Sequence, residues 1–199
     1  MEKVTVKPGV YRHNKGYLYR VLAVARSVKD NEPRVIFHEM YDDYQTWILP
    51  LNEWTRRFNH VEPVDLDNII DKVGLLLVKD GEILMAKKRG EDVFKIPGGY
   101  RQDNETDLQC LVREIKQELG VNINVASAQH YGTFVSQAHA KPPGFLVQVI
   151  CYLATHEGIL RASSAEKELV WMRYHHRDMV ATAAKIIFDE LFYKGLLKE

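Results

Sequence analysis

GYRQDNETDLQCLVREIKQELGV, residues 99 to 121, is a glycine loop running into a helix that has an apolar stripe and an acidic flank. Thr106 serves as N-cap, Gln109 three residues on completes a capping box, and Gly120 supplies a left-handed stop. At 100° per residue, Leu108, Leu111, Val112, Ile115 and Leu119 share an arc of about 100°, a stripe suited to docking on a sheet. Glu114 and Glu118 lie one turn apart beside that stripe, with Gln117 on the same flank. Like charges at this spacing repel by a few tenths of a kcal/mol in an isolated helix, so the pairing points to a cation that offsets them. Mg²⁺ suits such a face, because it takes a few hard oxygens and fills its shell with water and substrate phosphates. The competing reading is a plain solvated helix edge, which is what Glu-x-x-x-Glu usually is when seen alone.

Upstream of this segment, Val73 to Val78 and Glu82 to Lys87 flank Lys79-Asp80-Gly81, an Asp-Gly hairpin signal between strand-like runs. Phe94 to Pro97 leads into Gly98-Gly99. Strand-like runs follow the helix at Tyr131 to Val135, Phe145 to Ala154 and Leu169 to Arg173, and a helical run closes the chain from about Asp178 to Leu197. Strands alternating with two helices predict an α/β sandwich.

Residues 1 to 62 differ. Short β-like runs at Gly9 to His13, Tyr17 to Ala25, Arg34 to Tyr41 and Thr46 to Leu49, punctuated by turn residues, predict a small all-β barrel-like domain or sheet. The polar, proline-bearing stretch Asn59 to Asp65 marks the boundary, giving domains of 1–62 and 66–199. Tyr11, Tyr17, Tyr19, Tyr41, Tyr44, Trp47 and Trp54 could line a surface for a strand or nucleic acid, but a small β domain needs large aromatics simply to have a core.

The composition excludes several classes. Acidic and basic residues balance at 27 each, so no overall field draws the chain to nucleic acid or anionic membrane. The two cysteines, Cys110 and Cys151, lie far apart in apolar-periodic segments, which suits buried thiols in the reducing cytoplasm. No apolar run approaches the roughly 20 residues of a membrane helix, and the amino terminus lacks a signal-peptide core.

The loop and helix resemble the Nudix box: a glycine at 99, a glutamate after a five-residue gap at Glu105, then Arg113-Glu114, Glu118 and Gly120 at the box offsets. The resemblance implies a Nudix-type α/β/α sandwich and a Mg²⁺-dependent (or Mn²⁺-dependent) pyrophosphohydrolase with a small nucleotide-type substrate. It maps Glu114 and Glu118 onto metal ligands, Glu114 also onto the base that deprotonates water, and Arg113 onto the residue that orients the glutamate. The Gly98 carbonyl maps onto a backbone ligand, and Glu105 onto a supporting carboxylate. Gly98 and Gly99 let the backbone approach phosphates. The segment 1–62 resembles an uncharacterised bacterial family of small β-barrels, through Tyr11 to Gly16, Tyr19 to Leu22 and Trp47 to Leu51.

One position departs. Gln117 stands where the box has the first glutamate of its final pair, and a neutral amide binds metal more weakly than a carboxylate. Two functions stay open: a hydrolase with fewer or weaker metals, or a weakened domain that binds nucleotides or regulates. A further acidic group often comes from outside the box in this family, and Glu166 and Glu168 are the best sources here. Arg89, with Lys87 and Lys88, and His139, with Lys141, are candidates for substrate contact, each equally readable as ordinary exposed polarity. Nothing selects the group attached to the diphosphate. A homodimer is left open.

Overall fold

The computed structural model describes residues 6–15, 17–40, 45–61, 69–142, 145–162, 164 and 167–199. They fall into two compact units, Met1–Ile69 with Ser136–Leu146, and Ile70–Val135 with Val147–Glu199. Of the boundary stretch expected at Asn59 to Asp65, Asn59 and His60 belong to a strand, and residues 62 to 65 lie outside the described residues, as do Tyr41 and Tyr44.

In the first unit, β1 (Gly9–His13), β2 (Leu18–Arg26), β3 (Pro33–Glu39) and β4 (Thr46–Pro50) lead to α1 (Leu51–Arg57) and β5 (Phe58–His60). They form an antiparallel sheet in the order β4-β3-β2-β1-β5, open between its edges among the described residues rather than closed as a barrel. The aromatics make the core. Trp54 of α1 is fully buried and stacks on Phe58 with ring centroids 3.7 Å apart, against Phe37 and Tyr11. Trp47 is exposed, its indole N–H donating to Glu39 at 2.9 Å. The stretch 136–146 groups with this unit, and the Gln137 backbone N–H donates to the Met40 carbonyl.

The second unit is the expected α/β sandwich. Its strands begin with β6 (Ile69–Leu75), β7 (Val78–Lys79), β8 (Glu82–Lys88) and β9 (Gly98–Tyr100), followed by α2 (Asp107–Leu119). Then come β10 (Asn122–Ile123), β11 (Gln129–Gln137), β12 (Leu146–Leu153), β13 (His156–Glu157), β14 (Lys167–Met172) and α3 (Thr182–Tyr193). The main sheets run β11-β12-β6-β9 and β14-β8-β7. Asp80 and Gly81 both take positive φ, 56° and 88°, and close the β7–β8 hairpin as their sequence predicts.

Alternate residues on the central strands enter different cores, because both sheet faces are covered. Leu75, Leu77 and Leu84 pack with Leu111, Ile115 and Leu119 of α2. Leu76, Ile83 and Met85 pack with Ala184, Ile187 and Phe188 of α3. The expected last strand ends at Met172, Arg173 caps a 3₁₀ segment, Tyr174–Met179, and the expected last helix runs from Thr182 to Tyr193 rather than from Asp178 to Leu197.

Candidate functional site

Helix α2 forms as its sequence dictates. Thr106 Oγ1 accepts from the Gln109 N–H, the Gln109 side chain accepts from the Thr106 N–H at 2.9 Å, and Gly120 ends the helix at φ 74°. Its apolar stripe is buried, which leaves Arg113, Glu114 and Glu118 only partly covered along the flank. Cys110 lies in the core as a packing residue. Burial pushes its thiol up to about 11.

Three links fix the acidic group. Arg113 binds Glu105 through two parallel contacts, Nε to Oε1 and Nη2 to Oε2, each 2.7 Å. Its other amino group donates to Glu114, and Nη2 also reaches the Tyr100 carbonyl at 3.0 Å. This fork geometry belongs to arginine and not to lysine. The Arg113 bonds, with the Gln102 N–H, hold the Glu105 carboxyl down to about 2. Glu118 accepts from the Gly98 N–H at 2.6 Å, tying the glycine loop to the helix.

The glycines are required by space. A methyl at Gly99 would overlap the Glu114 carboxylate, and one at Gly98, at φ 137°, would overlap the Val73 carbonyl. β9 pairs with β6 so that Gly99 faces Val73 and Gly98 faces Gly74. Backbone and carboxylates thus lie close together.

Two lysines not singled out in the sequence join them. Lys167 donates to Glu118 across 3.1 Å, with both side chains mostly covered. Lys72 donates to the Ile96 carbonyl at 2.7 Å; burial lowers its pKa, and the Glu118 and Glu114 charges act in the opposite direction. Lys167 was readable by alternation: it continues the row of Leu169 and Trp171, which pack on the α2 side.

The same alternation turns Glu168 the other way. It pairs with Lys87 at 3.6 Å, and its neighbour Val170 packs in the α3-side core, so Glu168 is not brought to Glu114 and Glu118. Glu166 lies outside the described residues. Arg89 is exposed in the turn after β8, and exposed His139 belongs to the first unit. Gln117 is exposed on α2.

The donor set fits a hard divalent cation of the Mg²⁺ kind. Glu114 lies against Gly99 and Glu118 accepts from the adjoining Gly98, and such a cation needs only one or two carboxylates when water and phosphates complete its shell. Among the described residues no three or more His, Cys, Asp and Glu side chains gather into a self-sufficient cage.

A family model described as NUDIX domain matches residues 69–191, and one described as a protein of unknown function, DUF1653, matches 9–63. Among curated relatives, an RNA pyrophosphohydrolase of Halorhodospira halophila is 39% identical over 59 residues, covering 29% of this chain and 33% of that protein. An ADP-ribose pyrophosphatase of Methanocaldococcus jannaschii is 29% identical over 124 residues, covering 60% of this chain and 72% of that one. The first of these matches thus spans only a third of the relative's length. In fold, the chain is similar to the E. coli ORF135 protein, with a TM-score of 0.51 at 20% identity, over 63% of this chain and 89% of that one.

Proposed function

This chain belongs to the Nudix hydrolase family, and we propose that its second unit hydrolyses the pyrophosphate link of a nucleoside-diphosphate compound with Mg²⁺ or Mn²⁺. The observation that carries the reading is the braced group itself: Glu114 held by Arg113, and Glu118 held by the Gly98 N–H, beside a backbone without side chains. The relatives' names support a phosphoanhydride substrate attached to a nucleoside, without choosing the base.

Glu114 and Glu118, with the Gly98 carbonyl, are the residues that would hold the cation. When bound, the cation neutralises phosphate oxygens and lowers the pKa of a bound water. Glu114 takes the water's proton during attack on phosphorus. Arg113 aims the Glu114 carboxylate through its hydrogen bond, and Glu105 fixes Arg113 in turn. Gly98 and Gly99 leave room for the phosphates. The buried free thiols Cys110 and Cys151 support a reducing, cytoplasmic setting. No helix among the described residues is long and apolar enough to cross a membrane.

A second reading, a nucleotide-binding module, is favoured by one observation. Gln117 is exposed and neutral, while Lys167 already counters Glu118, so the group is poorer in free negative charge than four box carboxylates would make it. Incubation with a panel of nucleotide sugars, dinucleotides and nucleoside polyphosphates separates the two. A hydrolase returns split products by mass spectrometry, whereas a binding module raises the melting temperature and returns its ligand intact.

A further inference from the structure

We infer that Lys167 is a built-in counter-ion that competes with the divalent cation for Glu118, and moves to a substrate phosphate when the cation binds. The inference rests on the hydrolase reading of the same site.

Lys167 opens β14 on the face that meets α2, and its ammonium reaches Glu118 Oε1 at 3.1 Å while the other oxygen accepts from Gly98. Both oxygens of Glu118 are therefore occupied by this chain's own donors. In the antiparallel register Lys167 lies directly opposite Lys88. Like charges facing across a strand pair repel, so strand pairing alone disfavours lysine there. Glu118 offsets that repulsion.

Charge counting gives the same result. Glu105 and Glu114 are bound by Arg113, and Glu118 by Lys167. An arriving cation meets a group already largely balanced, and must displace the Lys167 ammonium to take Glu118 Oε1. The freed ammonium, on its flexible stem, is a compact point charge suited to a phosphate oxygen. Cation and phosphate then favour each other's binding, since each offsets the charge that the other leaves uncompensated.

The test is Mn²⁺ affinity of the substrate-free protein, followed by the electron paramagnetic resonance of free Mn²⁺. It is measured for wild type, Lys167→Met, Lys167→Arg and Glu114→Gln, each first checked for a cooperative melt. Lys167→Met is expected to bind Mn²⁺ about tenfold more tightly than wild type, the scale of one partly covered charge pair. Lys167→Arg should stay within about twofold of wild type. A non-hydrolysable nucleoside diphosphate analogue should tighten Mn²⁺ binding to wild type more than to Lys167→Met. If Lys167→Met binds no more tightly, while Glu114→Gln still weakens binding, the competition is refuted and the metal site stands. If no protein binds Mn²⁺ in a manner that Glu114→Gln reduces, the hydrolase reading falls, and the inference with it.

Discussion

Gly99 and Glu114 share one space: the position that a β-carbon on residue 99 would take is filled by the Glu114 carboxylate. The helix and the loop are fitted to each other at this point. Because the colliding atoms are the far end of a flexible side chain, Gly99→Ala should fold, with a melting temperature only a few degrees below wild type. Its Glu114 must swing away, and a displacement of about 1 Å at a reacting group can cost on the order of 100-fold in rate. Steady-state turnover beside a thermal melt checks this, and an unchanged kcat would contradict it.

The Glu105–Arg113 pair should be acid-resistant. Arg113 holds the Glu105 carboxyl at about 2, below its ordinary 4.5. A depressed carboxylate contributes stability that is complete above about pH 4.5 and is lost as pH falls toward 2. Glu105→Gln lacks this contribution, so the stability gap between wild type and variant should be constant near neutrality and close below pH 4. Urea melts at pH 7, 4 and 3 measure it. At neutral pH the same variant should lower kcat by about tenfold with little change in KM, because Glu105 acts through Arg113 and Glu114.

His38 should make the first unit acid-sensitive. Burial, with Arg20 paired across the strand, lowers the ring to about 4 from 6.5. The unfolded chain therefore binds a proton that the folded chain refuses, and stability falls as pH drops from 6.5 toward 4. The loss should be on the order of 1 kcal/mol once solvent screening of this half-covered ring is allowed for. His38→Gln should flatten the pH dependence of melting between 7 and 5.

Neither thiol should react in the folded protein. Burial raises Cys110 to about 11 and Cys151 to about 12, so few thiolates exist at pH 8 and neither is accessible. Iodoacetamide should label both only in guanidinium. Rapid labelling of Cys110 in native protein would mean that α2 is not seated on its sheet as described.

Local chemistry was legible in the sequence where one or two neighbours decide the backbone. The Thr106–Gln109 capping box, the Gly120 stop and the Asp80-Gly81 turn all form as the residues require. So does the division of α2 into a docking stripe and a charged flank. Helix α1 was missed because seven residues opened by Pro50 carry too little periodicity, and Trp54 earns its place there by burial against Phe37 and Phe58. The partners of Glu118 were also missed, since Lys167 lies 49 residues away in sequence and meets Glu118 only through the packing of β14 against α2. Glu168 has the acidic character the site needs but pairs with Lys87, whereas the strand's alternation turns its neighbour Lys167 toward Glu118.

The central claim is that Glu114 and Glu118 form a cation-assisted hydrolytic site despite Gln117. Its most direct test is the rate at which nucleoside-diphosphate compounds are split with Mg²⁺ or Mn²⁺ by wild type, Glu114→Gln and Gln117→Glu, each product identified by mass spectrometry. The account predicts turnover of at least one compound by wild type, a loss of about 100-fold or more in Glu114→Gln, and a gain in Gln117→Glu through the added carboxylate. Equal rates in wild type and Glu114→Gln, or ligands recovered intact from all three proteins, would contradict it.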